Sequence, residues 1–234
     1  MSAAELSPTS MEGRMVELAR TLDATADLNL ALDAVTFAAL DLVPGTEFAG
    51  VTLRRPGKKL WSVATTAPQA EEADRLQYEL DEGPCVDAAR EELLVTTADA
   101  AADARWHRCG AAVATMIGSV MSVQLVSARG VHGALNLYSS TSHAFGPGSV
   151  YAAAALSVHA GVALRTVLLE EDLKKATASK LVIGQAQGIL MHKFDLDADT
   201  AFGVLSRYSQ QHNTKIIDLA QRLVADRGGS FPPS

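Results

Sequence analysis

A chain of 234 residues, 48% hydrophobic and 20% charged, is long enough for one large or two modest domains with proper cores and reads as globular and soluble. Its charge divides unevenly: residues 1–167 hold 12 Lys+Arg against 19 Asp+Glu, and residues 168–234 hold 8 against 8. Neither part is therefore the strongly basic domain by which nucleic-acid binding usually announces itself. The two cysteines, Cys85 and Cys109, make neither a disulfide framework nor a zinc signature, which points to a reducing cytoplasm. The N-terminal residues lack the apolar region of a secretion signal. The most apolar stretch, Val150 to Leu169, carries His159 and Arg165, so it is expected to be a packed helix and not a membrane span.

In chain order, Met11 to Leu42 reads as one helix, with Met15, Leu18, Leu22, Leu28, Leu32, Val35 and Leu40 at helical spacing. Pro44-Gly45 closes it. Two strands, Glu47–Leu53 and Leu60–Thr66, flank a turn over residues 54–58. Helix is expected over Ala70–Leu80, a turn over Asp81–Cys85, a short helix over Val86–Glu91 and a short strand over Leu93–Thr97. Asp99–Ala114 reads as mostly helical around Trp106. The pattern then switches to period two: Met121, Val123 and Leu125 share one face of Ser119–Val126, and Leu135 and Leu137 share one face of Val131–Tyr138. With the turn Ala128-Arg129-Gly130 these form an antiparallel hairpin. After the Ser-, Gly- and Pro-containing loop Ser139–Gly148, a helix from about Ser149 runs to about Lys193, with Gly184 as a position for a kink. Asp197 is expected to cap a second helix ending near Gln211, and Asn213 or Thr214 a third over Lys215–Ala225, stopped by Gly228-Gly229.

The set Glu82-Gly83-Pro84-Cys85, Arg105-Trp106, Gly118-Ser119-Val120 and Gly133-Ala134-Leu135-Asn136-Leu137-Tyr138 resembles the GAF domains of actinobacterial signalling proteins over about residues 20–165. That resemblance implies a twisted antiparallel sheet with helices on both sides, a sensory or dimerising role, and room for a small-molecule ligand on one face. The residues name no cofactor. The Asn-Lys…Phe…Asp-Glu signature of cyclic-nucleotide GAF domains is missing, and Cys109 lacks the following His of bilin sites. His107 and His159 are expected to be surface or satisfied core residues, and Cys85 and Cys109 small buried ones. With neither a nucleophile–base pair nor a metal-ligand spacing in the sequence, no enzymatic activity and no metal site are expected.

Further on, Ser179-Lys180-Leu181-Val182-Ile183-Gly184-Gln185-Ala186-Gln187-Gly188-Ile189-Leu190-Met191 is followed by Ala201-Phe202, Leu205, Ser209-Gln210, Asn213, Lys215 and Asp218-Leu219-Ala220. In this order they resemble the ANTAR domain. The resemblance implies an RNA-binding module that acts on transcription termination by recognising paired hairpins whose loops expose bases. Leu181, Ile189, Phe202, Leu205, Ile216, Ile217, Leu219 and Leu223 supply apolar anchors for three helices. RNA-facing side chains should be polar or cationic and exposed. The RNA-binding residues expected on this basis are Ser179, Lys180, Gln187, Gly188, Arg207, Gln210, Asn213 and Lys215. Gly188 has two readings, close approach of an RNA backbone or tight helix packing. Two positions depart from the family pattern: Gln187 replaces its usual Lys and removes a charge, and Lys180 replaces its usual Arg and loses the bidentate fork.

The fold class expected is α+β: an N-terminal GAF-like antiparallel sheet with flanking helices, then a C-terminal three-helix ANTAR domain. The boundaries expected are a tail and helix start at 1–19, the GAF-like domain at 20–165, a linking helix at 166–178, the ANTAR domain at 179–228 and a tail at 229–234. Val162, Leu169, Leu173 and Ala176 recur at roughly heptad spacing. They suggest a homodimer in which linking helices pair, so that the GAF-like domain controls the spacing of two RNA-binding domains. The alternative is a ligand-sensing signalling protein acting through protein partners, with a degenerate ANTAR domain that binds no RNA.

Overall fold

A computed structural model of the chain describes residues 10–25, 27–54, 60–90, 92–127 and 130–226. The chain divides into two compact units, Met1–Leu168 and Leu169–Ser234. The turn expected beyond Arg54, the turn residues Ala128-Arg129, the helix stop Gly228-Gly229 and the 229–234 tail lie outside the described residues.

The first unit opens with two helices where periodicity suggests one, α1 (Met11–Asp23) and α2 (Leu28–Leu42). The break follows from Asp27. Its carboxylate accepts from the backbone N–H groups of Asn29 at 2.8 Å and Leu30 at 3.1 Å, satisfying two donors that a helix start leaves orphaned. An unbroken apolar stripe continues across the break, because Met15, Leu18 and Leu22 of α1 and Ala31, Leu32 and Val35 of α2 enter one core.

Five strands follow: β1 (Phe48–Leu53), β2 (Trp61–Thr65), β3 (Leu94–Thr97), β4 (Ser119–Ser127) and β5 (Gly130–Ser139). They form one antiparallel sheet in the order β2-β1-β5-β4-β3. Between them lie α3 (Pro68–Leu80), α4 (Pro84–Arg90) and α5 (His107–Val113). Period-two alternation sorts the strand residues onto two buried faces. Met121, Val123, Leu125, Leu135 and Leu137 face α1, α2 and the start of the long helix α6 (Pro147–Phe194). Val120, Ala134 and Tyr138 face α3, α4 and α5. The helix expected over Asp99–Ala114 shrinks to α5. Asp99 and Asp103 bond the backbone N–H groups two residues on, at 3.1 Å each, and so hold turns where helix was expected.

By length and composition Pro147–Thr166 could cross a membrane. Instead Ala152, Ala153, Leu156, Ala160 and Leu164 are buried against the sheet, and the segment is a core helix. Gly161 permits its approach: a Cβ there would lie 2.4 Å from the carbonyl oxygen of Val126. The helix runs its 48 residues without a break at Gly184, whose propensity cost of about 1 kcal/mol is small against that length of hydrogen-bonded turns.

The second unit packs the C-terminal part of α6 with α7 (Ala198–Gln211) and α8 (Ile216–Ala225) around Ala186, Leu190, Ala201, Leu205, Leu219, Ala220 and Leu223. Three expected anchors do not join the core: Leu181, Phe202 and half-buried Ile217. Leu181 and Phe202 remain 64% and 44% exposed, because Ala186 and Leu190 set the inward side of α6 and Ala201, Leu205 and half-buried Tyr208 that of α7. Phe202 sits one residue, about 100°, round from Ala201.

Candidate functional site

Among the described residues, two places concentrate polar chemistry, one in each unit. In the helical unit, Asp197 caps α7 as its sequence position suggests, accepting from Thr200 N–H at 2.7 Å. The far end of α7 is built with more hydrogen bonds. Asn213 takes a left-handed backbone with φ 47°, which Asn tolerates better than most residues. The Ser209 hydroxyl donates to Thr214 O at 2.6 Å, and Thr214 N–H returns a bond to Ser209 O at 3.0 Å. Lys215, not Asn213 or Thr214, occupies the N-cap position of α8, and no side chain caps that helix.

This junction gathers four of the eight expected RNA-binding residues: Arg207, Gln210, Asn213 and Lys215 are all exposed there. The other four lie on α6. Ser179 is half-buried and Lys180 exposed. Gln187 is half-buried and donates its amide to the carbonyl of Ala198 at 3.1 Å, so it braces the α6–α7 turn. Gly188 is exposed, and a Cβ there would meet open space, so tight packing within the chain does not account for it. Among the described residues, Lys180, Arg207 and Lys215 have no ion-pair partner, which leaves their charges available to an anionic surface.

Sequence reasoning missed two residues at the junction, Tyr208 and His212. Their rings stack with centroids 3.9 Å apart and planes 13° from parallel. The available signal was their i,i+4 spacing near a helix end, which puts both on one side of α7.

In the sheet unit, a polar cluster is sealed between the sheet and α3 and α4. Asp74 of α3 is fully buried. Its carboxylate accepts from Asn136 Nδ2 at 2.9 Å, from Ser62 Oγ at 2.8 Å and from the Tyr138 hydroxyl. Asn136 Nδ2 also lies 2.8 Å from Thr52 Oγ1 and 3.1 Å from Cys85 Sγ. Gln77 joins the cluster to the next turn: its amide nitrogen donates to Tyr138 Oη at 2.9 Å and its oxygen accepts from Cys85 N–H at 2.9 Å. Burial pushes the Asp74 carboxyl up to about 6, against the opposing pull of bonds from Tyr138, Ser62 and Asn136. Burial likewise holds Cys85 well above the ordinary thiol range and lifts Cys109 to about 11. Both cysteines are therefore thiols at neutral pH and poor nucleophiles.

The sequence motifs of this unit brace that face. The Glu82 carboxylate accepts from Arg108 N–H and Nε at 2.8 Å each, fixing the start of α5. Trp106 donates its indole N–H to Asp87 at 2.9 Å, with the Arg105 guanidinium 4.0 Å above its ring. Trp106, Gln77, Cys109, Ile117 and Tyr138 enclose a cavity of about 10 Å³, which is room for about one water. His107 is exposed and His159 half-buried. Among the described residues no three His, Cys, Asp or Glu side chains gather as a metal site would require.

A family model described as "GAF domain" matches residues 25–165, and one described as "ANTAR domain" matches residues 171–224. No curated protein matches the chain. Among solved structures, the GAF domain of an Acinetobacter phosphoenolpyruvate-protein phosphotransferase is similar with a TM-score of 0.56 at 13% identity, over 69% of this chain and 97% of that one. The corresponding Coxiella burnetii domain gives 0.56 at 13%, over 71% and 99%. The free methionine-R-sulfoxide reductase of Neisseria meningitidis, in complex with its substrate, gives 0.55 at 14%, over 73% and 97%. At such identities these likenesses establish the fold alone.

Proposed function

Since this chain belongs to the GAF domain family and carries an ANTAR domain after it, we propose that it is an RNA-binding transcriptional regulator, an antiterminator whose GAF domain controls the ANTAR domain. The observation that carries this reading is the ANTAR match over residues 171–224, where Lys180, Arg207 and Lys215 stand exposed with no ion-pair partner among the described residues. Cations of that kind neutralise phosphates and release counterions, the main source of sequence-independent affinity. The RNA proposed is a pair of hairpins with unpaired loop bases, held by a homodimer in the cytoplasm. Val162, Leu169 and Leu173 are 61%, 44% and 66% exposed on α6, which suits helix pairing between two copies.

The GAF domain is proposed as the sensory and dimerising part. A small-molecule ligand on the Trp106 face would have to displace side chains that now leave room for about one water. We propose no catalysis. The reductase activity of the Neisseria neighbour is not carried over, because Cys85 and Cys109 are buried and held as thiols. Turnover of free methionine sulfoxide by the purified protein would overturn that part of the proposal.

One observation favours a second reading, a signalling protein whose ANTAR domain has lost RNA binding. Gln187 stands where the family has a Lys, and its amide is engaged by Ala198. A low-salt gel shift with a two-hairpin RNA separates the readings. A shift by the wild type that weakens in Lys180→Ala/Arg207→Ala supports the antiterminator, and no shift supports the second reading.

A further inference from the structure

Resting on the RNA-binding reading, we infer that the Tyr208–His212 stack is a base-stacking platform for an unpaired nucleobase of an RNA loop. The pair is held for such contact on three counts. First, its two members divide the work. Tyr208 is half-buried and packs against the helical core, whereas His212 is exposed, so the anchored ring supports the ring that meets solvent. Second, the His212 ring is fixed. Its Nδ1 lies 3.1 Å from the carbonyl oxygen of Tyr208, and a carbonyl can only accept, so Nδ1 carries the proton and Nε2 of the neutral ring is left as an acceptor.

Third, the backbone under the platform is fixed as well. His212 N–H bonds Tyr208 O at 3.1 Å, the Thr214 hydroxyl bonds His212 O at 3.2 Å, and the Ser209–Thr214 exchange closes the turn. A rigid surface loses little entropy on binding. Near-parallel planes 3.9 Å apart between ring centroids match the way bases stack on aromatic side chains, the common device for gripping unpaired RNA bases. Arg207 and Lys215, exposed and near the pair in the chain, offer charge for the adjoining phosphates, and exposed Asn213 an amide that can hydrogen-bond a base edge.

The test uses the full chain and two probes: a pool of two-hairpin RNAs with randomised loops, and the same stems with every loop position abasic. The expected result is that His212→Ala weakens binding of the looped pool by about tenfold, while His212→Phe, which keeps a π face, stays close to wild type. Binding of the abasic probe should be weaker and indifferent to residue 212. Wild-type binding of the looped pool with no loss in His212→Ala, or an equal loss on both probes, overturns the platform alone and leaves the pair to a protein contact or to local packing. Failure of the wild type to bind either probe overturns the platform together with the RNA-binding reading.

Discussion

The side-chain amide of Gln187 donates to the backbone carbonyl of Ala198 at 3.1 Å, across the turn that joins α6 to α7. The first turn of α7 is thereby fixed twice, because Asp197 also caps it by accepting from Thr200 N–H. Gln187 is the position at which this chain departs from the family's usual Lys. A Lys there would bring a charge to the surface that Gln187 does not carry.

Gln187→Ala is therefore expected to act on stability before it acts on RNA. A half-exposed hydrogen bond of this kind contributes about 0.5–1.5 kcal/mol, so the midpoint of thermal unfolding should fall by a few degrees. The salt dependence of RNA binding should not change, because no charge is lost. A changed salt slope in Gln187→Ala would contradict the bracing role.

The Asp74 carboxyl makes stability depend on pH in an unusual direction for an aspartate. Its folded value, about 6, lies above the ordinary 3.8, so the folded state binds more protons than the unfolded state between those limits. The contribution of this one group is then fully present below about pH 4 and is lost as pH rises through 6, by on the order of 3 kcal/mol. Asp74→Asn keeps an oxygen for Tyr138 and Asn136 to bond and has no proton to lose. Urea unfolding of the two proteins from pH 4 to pH 7 should show the wild type losing stability relative to the variant, and parallel curves would refute the buried-acid account.

Gly133 marks where β5 pairs with Leu53 of β1. A Cβ there would come within 1.8 Å of the Thr52 carbonyl oxygen, an overlap that only backbone movement relieves. Gly133→Ala should destabilise the chain by about 1–3 kcal/mol, read as a lower urea midpoint. Because Thr52 also hydrogen-bonds Asn136, the Asp74 cluster should loosen with it and the pH dependence of stability should shrink.

How much was legible in the sequence varies with the range of the interaction. The β4–β5 hairpin could be read from alternation alone, since Met121, Val123, Leu125, Leu135 and Leu137 do share one face. The Asp197 cap could be read from local chemistry. The break at Asp27 and the turns at Asp99 and Asp103 escaped because each depends on a short side chain choosing a backbone N–H over solvent, a choice invisible to hydrophobic periodicity. Leu181 and Phe202 were assigned to the core by type, but one residue's rotation on a helix leaves them outside it. The Asp74 cluster joins residues up to 84 positions apart, Thr52 and Asn136 among them, and only the folded sheet brings them together.

The cations of the helical unit give the most direct measure of its electrostatic role. Lys180, Arg207 and Lys215 carry exposed charges with no ion-pair partner among the described residues, so removing one costs no internal pairing and should leave unfolding unchanged. If each sits on a phosphate, single alanine substitutions should reduce the slope of log K against log salt by about one unit apiece. The three effects should add, because contacts to separate phosphates release separate counterions. Affinities measured from 50 to 300 mM salt would show this directly. A residue whose substitution lowers affinity at every salt concentration by the same factor touches a base or supports the fold, and is not a phosphate contact.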